Sequence, residues 1–406
     1  MIAMEENILD KLDMRKLGQE LQLARTKRGF TQAEVAKILD VARTTITAIE
    51  KGERRIKPNE LIKLARAYGR QVNDFVRQRP TIEPFQVQFR GPFLRSEDED
   101  KEISQYIDQL EDLSRDYFEL EQITNSPLSQ KYPNEYSING LRVDLAAEDV
   151  ANQERKRLGL GDGPIPLLRD ILEQDVGLRI FYLPIKPSKY SAMYLYDHDL
   201  GGCIGINILH PEERRRWSLA HDYGHFLAHR YKPTMFVINN YQRVPQSEQF
   251  ADKFAAYFLM PTSGLTMRFN DIRKTKEKFL VADLCMLANY YGVSAEALTV
   301  RLESLKLIPT GVWDRLKESG FKVREAQAQL GLDKIPSQDS QLPIRYQNLA
   351  VLAFEQGLVT EGQLSHYLRA DRLTARNVVE NLSKYRSQAS GINSEIELDL
   401  SESINV

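Results

Sequence analysis

The segment SLAHDYGHFLAHR, residues 218–230, sets His221, His225 and His229 at successive four-residue steps. On a helix, His221 and His225 project from one face one turn apart, the geometry two imidazoles need to grip a single zinc ion. Asp222 follows His221, where a hydrolytic zinc centre of the H-E-x-x-H kind carries glutamate. Zinc chemistry needs a third protein ligand, typically a carboxylate, and an open position for water. SEQFADKFAAYFLMP, residues 247–261, offers two carboxylates, because Glu248, Ala251, Asp252 and Ala255 share a helical face. An acid beside small residues suits the close approach of two helices at a metal.

The elements that must carry these groups can be read nearby. PEERRRWSLAHDYGHFLAHR is expected as one helix. Upstream, PIPLLRDILEQDVG reads as a helix ending at Gly177, followed by a strand in RIFYLP, and CIGIN (203–207) reads as a second apolar strand.

Over residues 140–310 these segments resemble the ImmA/IrrE family of metallopeptidases. In that family one helix bears H-E-x-x-H, and a second bears a Glu followed by an A-(N/D)-x-F-A-A-x-L-(L/M)-M-P-like run. His221 and His225 match the first two zinc ligands and Glu248 the third. Ala251, Asp252, Phe254, Ala255, Ala256, Leu259, Met260 and Pro261 match the run. The resemblance therefore implies Zn2+ at His221, His225 and Glu248, with Asp252 as the runner-up third ligand and His229 a distant one.

Asp222 is the departure. Aspartate keeps the acid chemistry of the catalytic Glu but is one methylene shorter, which withdraws the carboxylate by about 1.3–1.5 Å. A general base works only within about 2.6–3.2 Å of its proton, and a displacement of that size costs on the order of a hundredfold in rate. Metal binding is untouched by the change; peptide hydrolysis with Asp222 as catalytic base is the doubtful step. A further reading, in which His221–Asp222 is the adjacent pair of an HD phosphohydrolase, would need more His and Asp elsewhere, and the Glu248 run argues against it.

Residues 15–79 have a different character. They hold sixteen Lys and Arg against seven Asp and Glu, although the chain as a whole is at −2. A basic module on an acidic body suggests a polyanionic partner for that module alone. LGQELQLARTKRGF reads as a helix with Leu17, Leu21 and Ala24 on one face. Thr31 and Glu34 form a T-x-x-E capping box for a helix over about 32–39, with Phe30 and Val35 as a hydrophobic staple. A short turn at Asp40–Val41 leads to a helix with Ile46 and Ile49 inward and Arg43, Thr44, Thr45, Thr47 and Lys51 on its other faces. LIKLARAYG then closes the core.

Two short helices joined by a tight turn describe a helix-turn-helix. Thr31–Gln32, Ala36, Val41, Ile46, Ile49–Glu50 and Gly52 closely resemble the XRE, lambda-repressor-like, family. That resemblance puts Gln32 on phosphate and Arg43 and Thr44 on bases. Arg43 can bridge two guanine acceptors, with Thr45, Thr47 and Lys51 alongside. Lys27, Arg28, Lys51, Arg54 and Arg55 are the phosphate candidates. Two departures are small: Asp40 replaces the usual turn Gly but tolerates the left-handed conformation, and Ala42 replaces a capping Ser at roughly 1 kcal/mol.

Residues 80–135 form a joint. QRPTIEPFQVQFRGPF is Pro- and Gly-punctuated and extended, and a helix follows with Ile103, Tyr106, Leu110, Leu113, Tyr117 and Leu120 in heptad spacing. That seam either packs on its own chain or joins two copies, the latter suiting a homodimer on a two-fold operator. Residues 283–308 and 349–382 repeat a helical rhythm, with Gly292 at a turn and Ser294 as a cap; neither shows the Arg and Thr display of the first module, so packing against the peptidase-like body is expected. The acidic tail SEIELDLSESINV reads as a terminal strand or as disordered.

Composition bounds the rest. The chain has 406 residues, is 42% apolar and 28% charged, and carries only Cys203 and Cys285, which excludes a disulfide framework. No run of eighteen apolar residues suggests a membrane span. The start, MIAMEENILDKLDMRK, is acidic and unlike a signal peptide, so a cytoplasmic protein is expected.

The expected fold is mainly α with a small β-sheet (α+β). It comprises a lambda-repressor-like domain at 15–79, a linker and amphipathic helix at 80–135, a zincin-like metallopeptidase domain at 136–310 and a helical C-terminal extension at 311–406. The expected function is a transcriptional repressor acting on a double-stranded operator, antitoxin-like, with a zinc-binding sensor or partner domain. The alternatives are an active peptidase that cleaves itself or a partner repressor or toxin, and an interaction protein with no metal.

Overall fold

The computed structural model describes residues 13–68, 70, 72, 75, 87–90, 97–138, 140–231, 245–276, 278–332, 335 and 340–390. The chain falls into two units, Met1–Thr81 and Ile82–Val406.

In the first unit, Asp13 caps helix α1 (Met14–Lys27) by accepting from the Arg15 and Lys16 backbone N–H groups. Helix α2 (Gln32–Leu39) starts with both halves of the Thr31–Glu34 capping box in place and ends at Asp40, which takes the left-handed conformation (φ 56°). Helix α3 (Arg43–Glu50) starts at Ala42 with no side-chain cap, and α4 (Pro58–Tyr68) follows. Leu17, Leu21, Ala24, Val35, Ile46, Ile49 and Leu64 share one core, and Phe30 packs against its edge. At Gly18 a Cβ would stand 2.5 Å from the carbonyl oxygens of Ile49 and Glu50, so α1 and α3 meet at a contact only glycine permits.

The second unit is layered about a four-stranded sheet in the order β1-β3-β4-β2. Strand β1 (Val87–Arg90) runs antiparallel to β3 (Ala192–Asp197), β3 antiparallel to β4 (Gly201–Asn207), and β4 parallel to β2 (Arg179–Leu183). The β2 and β4 strands match the expected positions. β3 was not anticipated, and β1 lies within the stretch read only as extended. Strands β2 and β4 are buried along their whole length, which explains why they read as apolar runs and not as alternating ones.

Side-chain alternation splits that burial into two cores. Ile180, Tyr182, Ala192, Tyr194, Ile204 and Ile206 face the cluster containing the histidine helix (Glu212–His229), the glutamate helix (Gln246–Leu259) and the helix Val143–Arg157. Phe181, Leu183, Met193, Leu195 and Cys203 face a second cluster. This second core contains the apolar seam of the helix Glu97–Ile123 together with Tyr346, Leu349, Leu364 and Tyr367 of the C-terminal helices.

The heptad seam is thus filled within its own chain: Ile103, Leu110, Leu113, Tyr117 and Leu120 are all at most 2% exposed. Five of the six seam positions are thus covered within the chain and Tyr106 is half-buried, so the seam serves as an internal packing face. Gly205 makes room for the packing, because a Cβ there would come 3.2 Å from Leu110. The C-terminal helices Ile344–Glu355, Glu361–Tyr367 and Arg372–Ser390 close this core as expected. Gly292 (φ 65°) ends the helix Val281–Tyr291, and Ser294 caps the next one. The acidic tail lies outside the described residues. Among those described, no helix is long and apolar enough to cross a membrane.

Candidate metal centre and candidate nucleic-acid interface

The histidine helix opens with Glu212 and Glu213, acids that complement its N-terminal dipole, and is buried from Ser218 to His229. His221 and His225 are 1% and 7% exposed, with ring centroids 4.8 Å apart. The glutamate helix crosses beside them. At Gly224, between the two histidines, a Cβ would sit 3.0 Å from the Phe254 ring and 3.3 Å from Cα of Ala251. The expected small-residue crossing is therefore Gly224 against Ala251. The sequence signal for it lay in the glycine inside a helical pattern, which is unfavourable there unless backbones must approach.

This crossing delivers Glu248 to the histidines. Its Oε1 lies 3.1 Å from His225 Nε2, its Oε2 lies 3.4 Å from His221 Nε2, and the two Nε2 atoms are 3.0 Å apart. In a tetrahedral zinc site with ligands at 2.0–2.1 Å, neighbouring donor atoms stand about 3.3 Å apart. The three separations lie near that value, each histidine meeting a different oxygen of Glu248, so the donor set suits zinc in chemistry and in approximate spacing. Among the described residues it is the one group of three His, Cys, Asp or Glu side chains able to hold a metal. Burial by itself would raise the Glu248 carboxyl pKa, but hydrogen bonds from His221 and His225 outweigh it and hold the group well below the usual carboxylate range.

Asp252 is placed differently from the expectation of a runner-up ligand. Its Oδ1 lies 2.7 Å from Nδ1 of His221, the ring nitrogen turned away from Glu248. One helical turn separates Glu248 from Asp252, so one acid reaches the front of the ring and the other its back. Asp252 thus stands behind His221 and outside the group His221, His225 and Glu248. His229 lies outside the ligand group, its ring 5.9 Å from that of His225 and against Phe250. Asp222 is 3% exposed, next to His221 on the same helix.

A polar lattice behind the histidine helix fixes it against the helix Val143–Arg157. Fully buried Glu154 accepts from Tyr136 Oη (2.9 Å) and from Arg157 (2.7 Å), and bonds with the Tyr223 hydroxyl. Nothing in the sequence pointed to this group, because its members come from three separate segments.

In the first unit, Arg43 and Thr44 are exposed at the start of α3, Thr45 and Thr47 are half-buried, and Lys51 is exposed just beyond its end. Gln32 is held at both ends of its amide: Nε2 donates to Glu50 (2.8 Å), and Oε1 accepts from Thr47 (3.1 Å). Glu50 in turn is gripped by Arg25 at 2.5 and 3.1 Å. This buried pair locks α1 to α3 and sets the angle at which Gln32 and Thr47 are presented. The Glu50 hydrogen bond, working against burial, raises the Arg25 pKa. Of the phosphate candidates, Arg54 pairs with Glu60 (2.9 Å) and Arg28 donates to the Tyr68 carbonyl (2.8 Å). Arg55 is exposed, and the Lys27 side chain lies outside the described residues.

Comparison with known proteins agrees with both halves. Residues 173–303 match the family model of the IrrE N-terminal-like domain, and residues 21–75 match that of the helix-turn-helix. No curated protein matches the chain. Among solved structures, Bacillus thuringiensis PlcR in complex with the peptide PapR7 and DNA is 12% identical, covering 94% of this chain and 100% of that one. Its TM-score is 0.18, too low for the likeness to carry any argument.

Proposed function

From a chain that joins an XRE-type helix-turn-helix domain to an IrrE/ImmA-like metallopeptidase domain, we propose a sequence-specific transcriptional regulator, a cytoplasmic repressor, whose peptidase-like body binds Zn2+ and serves as its sensing or partner-binding part. The carrying observation is that one chain holds both an exposed Arg43–Thr44 start to α3 and the His221–His225–Glu248 donor set. Arg43 and Thr44 read base edges; Gln32, Thr45, Thr47 and Lys51 hold the backbone. The narrower form is antitoxin-like autoregulation, with a toxin or repressor as protein partner and two copies bound to a two-fold operator.

A footprint on the chain's own promoter that disappears in the Arg43→Ala, Thr44→Ala double variant supports this reading. Unchanged protection in that variant discredits the reader assignment. Metal analysis of purified protein gives one zinc per chain, and failure to load any removes the zinc half.

The three-ligand donor set favours a second reading, because catalytic zinc sites keep three protein ligands and structural ones four. Zinc held there would supply Lewis acidity toward a water or a scissile carbonyl. His221, His225 and Glu248 would fix it, and Asp222 would take and return the proton from its position beside His221. Cleavage of a partner repressor or toxin, or slow self-cleavage, lost in Asp222→Ala with zinc retained, would establish that activity.

A further inference from the structure

A second space opens on the other half of the histidine helix. A cavity of about 510 Å³ lies between the turn 164–168, Tyr182 of β2, Arg216 and Leu219, and Tyr290–Gly292. None of the three ligand residues lines it. Its size falls within the roughly 300–1,000 Å³ of small-molecule sites, and its walls are mainly prolyl, aliphatic and tyrosyl.

Two cations, Arg169 and Arg216, and one acid, Glu212, line this space. Arg169 and Arg216 are 3% and 8% exposed. Arg169 donates to the main-chain carbonyls of Ile180, Ser340 and Gln341. Arg216 donates to Gly292 O (3.1 Å) and Ile165 O (2.7 Å). Neither arginine forms a direct ion pair among the described residues; Glu212 lines the cavity beside Arg216 and is paired with Arg215 at 2.8 Å. Burial lowers the pKa of both guanidinium groups, outweighing the opposing charges of Glu173 and Asp170 near Arg169 and of Glu212 near Arg216. Nη1 of Arg216 makes no hydrogen bond among the described residues. Tyr291, 1% exposed, also borders the cavity, and its hydroxyl has no hydrogen-bond partner among the described residues.

We infer that this cavity binds a small organic acid with an apolar body. Leu168, Leu219 and the tyrosine rings hold the body; Arg216 takes the acid group, with the Tyr291 hydroxyl as a further donor. Leu219 stands two residues before His221 on the same helix, so an occupant bears directly on the element that carries the metal ligands. The role of such a ligand as the signal read by the regulator rests on the function proposed above; its binding does not.

The test is a titration of the full chain with the fluorescent acid 1-anilinonaphthalene-8-sulfonate, followed by displacement with benzoate, octanoate and neutral benzamide. Saturable one-to-one binding is expected, displaced by the two acids and not by benzamide. Arg216→Gln should weaken acid binding at least tenfold. Leu167→Trp, which adds bulk from a half-exposed wall position, should reduce it in a chain whose core is unaltered. If Arg216→Gln loses its fold by circular dichroism, the Leu167→Trp result decides. Equal displacement by acid and amide, or wild-type binding in the folded variants, overturns the inference. A promoter footprint taken in parallel separates the readings, since acid binding lost with the footprint intact sinks the cavity assignment alone.

Discussion

Asp252 accepts a hydrogen bond from Nδ1–H of His221 at 2.7 Å. An ionised carboxylate can only accept, so Nδ1 carries a proton, and in the neutral ring that a metal requires the Nε2 lone pair would face Glu248 and His225. This is the outer-shell arrangement that fixes tautomer and ring orientation in zinc sites and raises ligand basicity. His225 has no such partner: its Nδ1 is buried without a hydrogen bond among the described residues.

Asp252→Ala should therefore weaken zinc binding about 10- to 100-fold without abolishing it, whereas Glu248→Ala removes a ligand and should cost more. Competition titration against a chromophoric chelator measures both. Equal affinity in wild type and Asp252→Ala would contradict the positioning role.

Gly224→Ala should destabilise the second unit although alanine is the better helix former by about 1 kcal/mol. The added methyl meets the Phe254 ring at 3.0 Å, and that ring is stacked between Phe250 and Phe258 and cannot yield. Overpacking of this kind costs about 1–3 kcal/mol. Urea unfolding should show a net loss, and zinc affinity should fall as the two helices part.

If Asp222 falls short as a base because its carboxylate is withdrawn, Asp222→Glu should raise peptide hydrolysis about a hundredfold with zinc content unchanged. Assay of candidate partner proteins by mass spectrometry reads the cleavage. No gain in the glutamate variant would show that reach is not the limitation.

Glu173 gives a pH prediction. Burial, opposed by the Tyr117 hydrogen bond and by the positive charges of Arg169 and Arg345, pushes its carboxyl up to about 7. A carboxyl whose folded pKa is raised contributes stability fully present below its unfolded pKa, near 4.5, and lost as pH rises through about 7. Glu173→Gln keeps an acceptor for Tyr117 and carries no charge. Relative to wild type it should gain roughly 3 kcal/mol between pH 5 and pH 8, measured by urea unfolding at both.

In the DNA-binding unit, Arg43→Ala should cost about 1–3 kcal/mol of discrimination at one base pair. Lys51→Ala should weaken binding to all sequences alike and reduce the salt slope by about one. Binding isotherms over a salt series on cognate and scrambled duplexes separate the two. A Lys51 effect confined to the cognate duplex would reverse the roles.

Much of this was legible because it is local. A capping box is a relationship across three residues, and its two reciprocal hydrogen bonds between Thr31 and Glu34 follow from the chain order alone. The four-residue spacing of His221 and His225 becomes a shared helix face by geometry, and the inward Ile46 and Ile49 follow in the same way. The left-handed turn at Asp40 was read from residue type.

What lay beyond the sequence depends on which segments meet. Helical spacing put Glu248 and Asp252 on one face, but only the crossing at Gly224 and Ala251 decided that one acid fronts the metal position and the other backs His221. The heptad seam of residues 103–120 was equally compatible with a second copy or with its own sheet, since an apolar stripe specifies burial and not the surface that buries it. Tertiary packing chose Phe181, Leu183, Met193 and Leu195 as its partners, and brought Arg169 and Arg216 to a shared cavity from positions 47 residues apart in the chain.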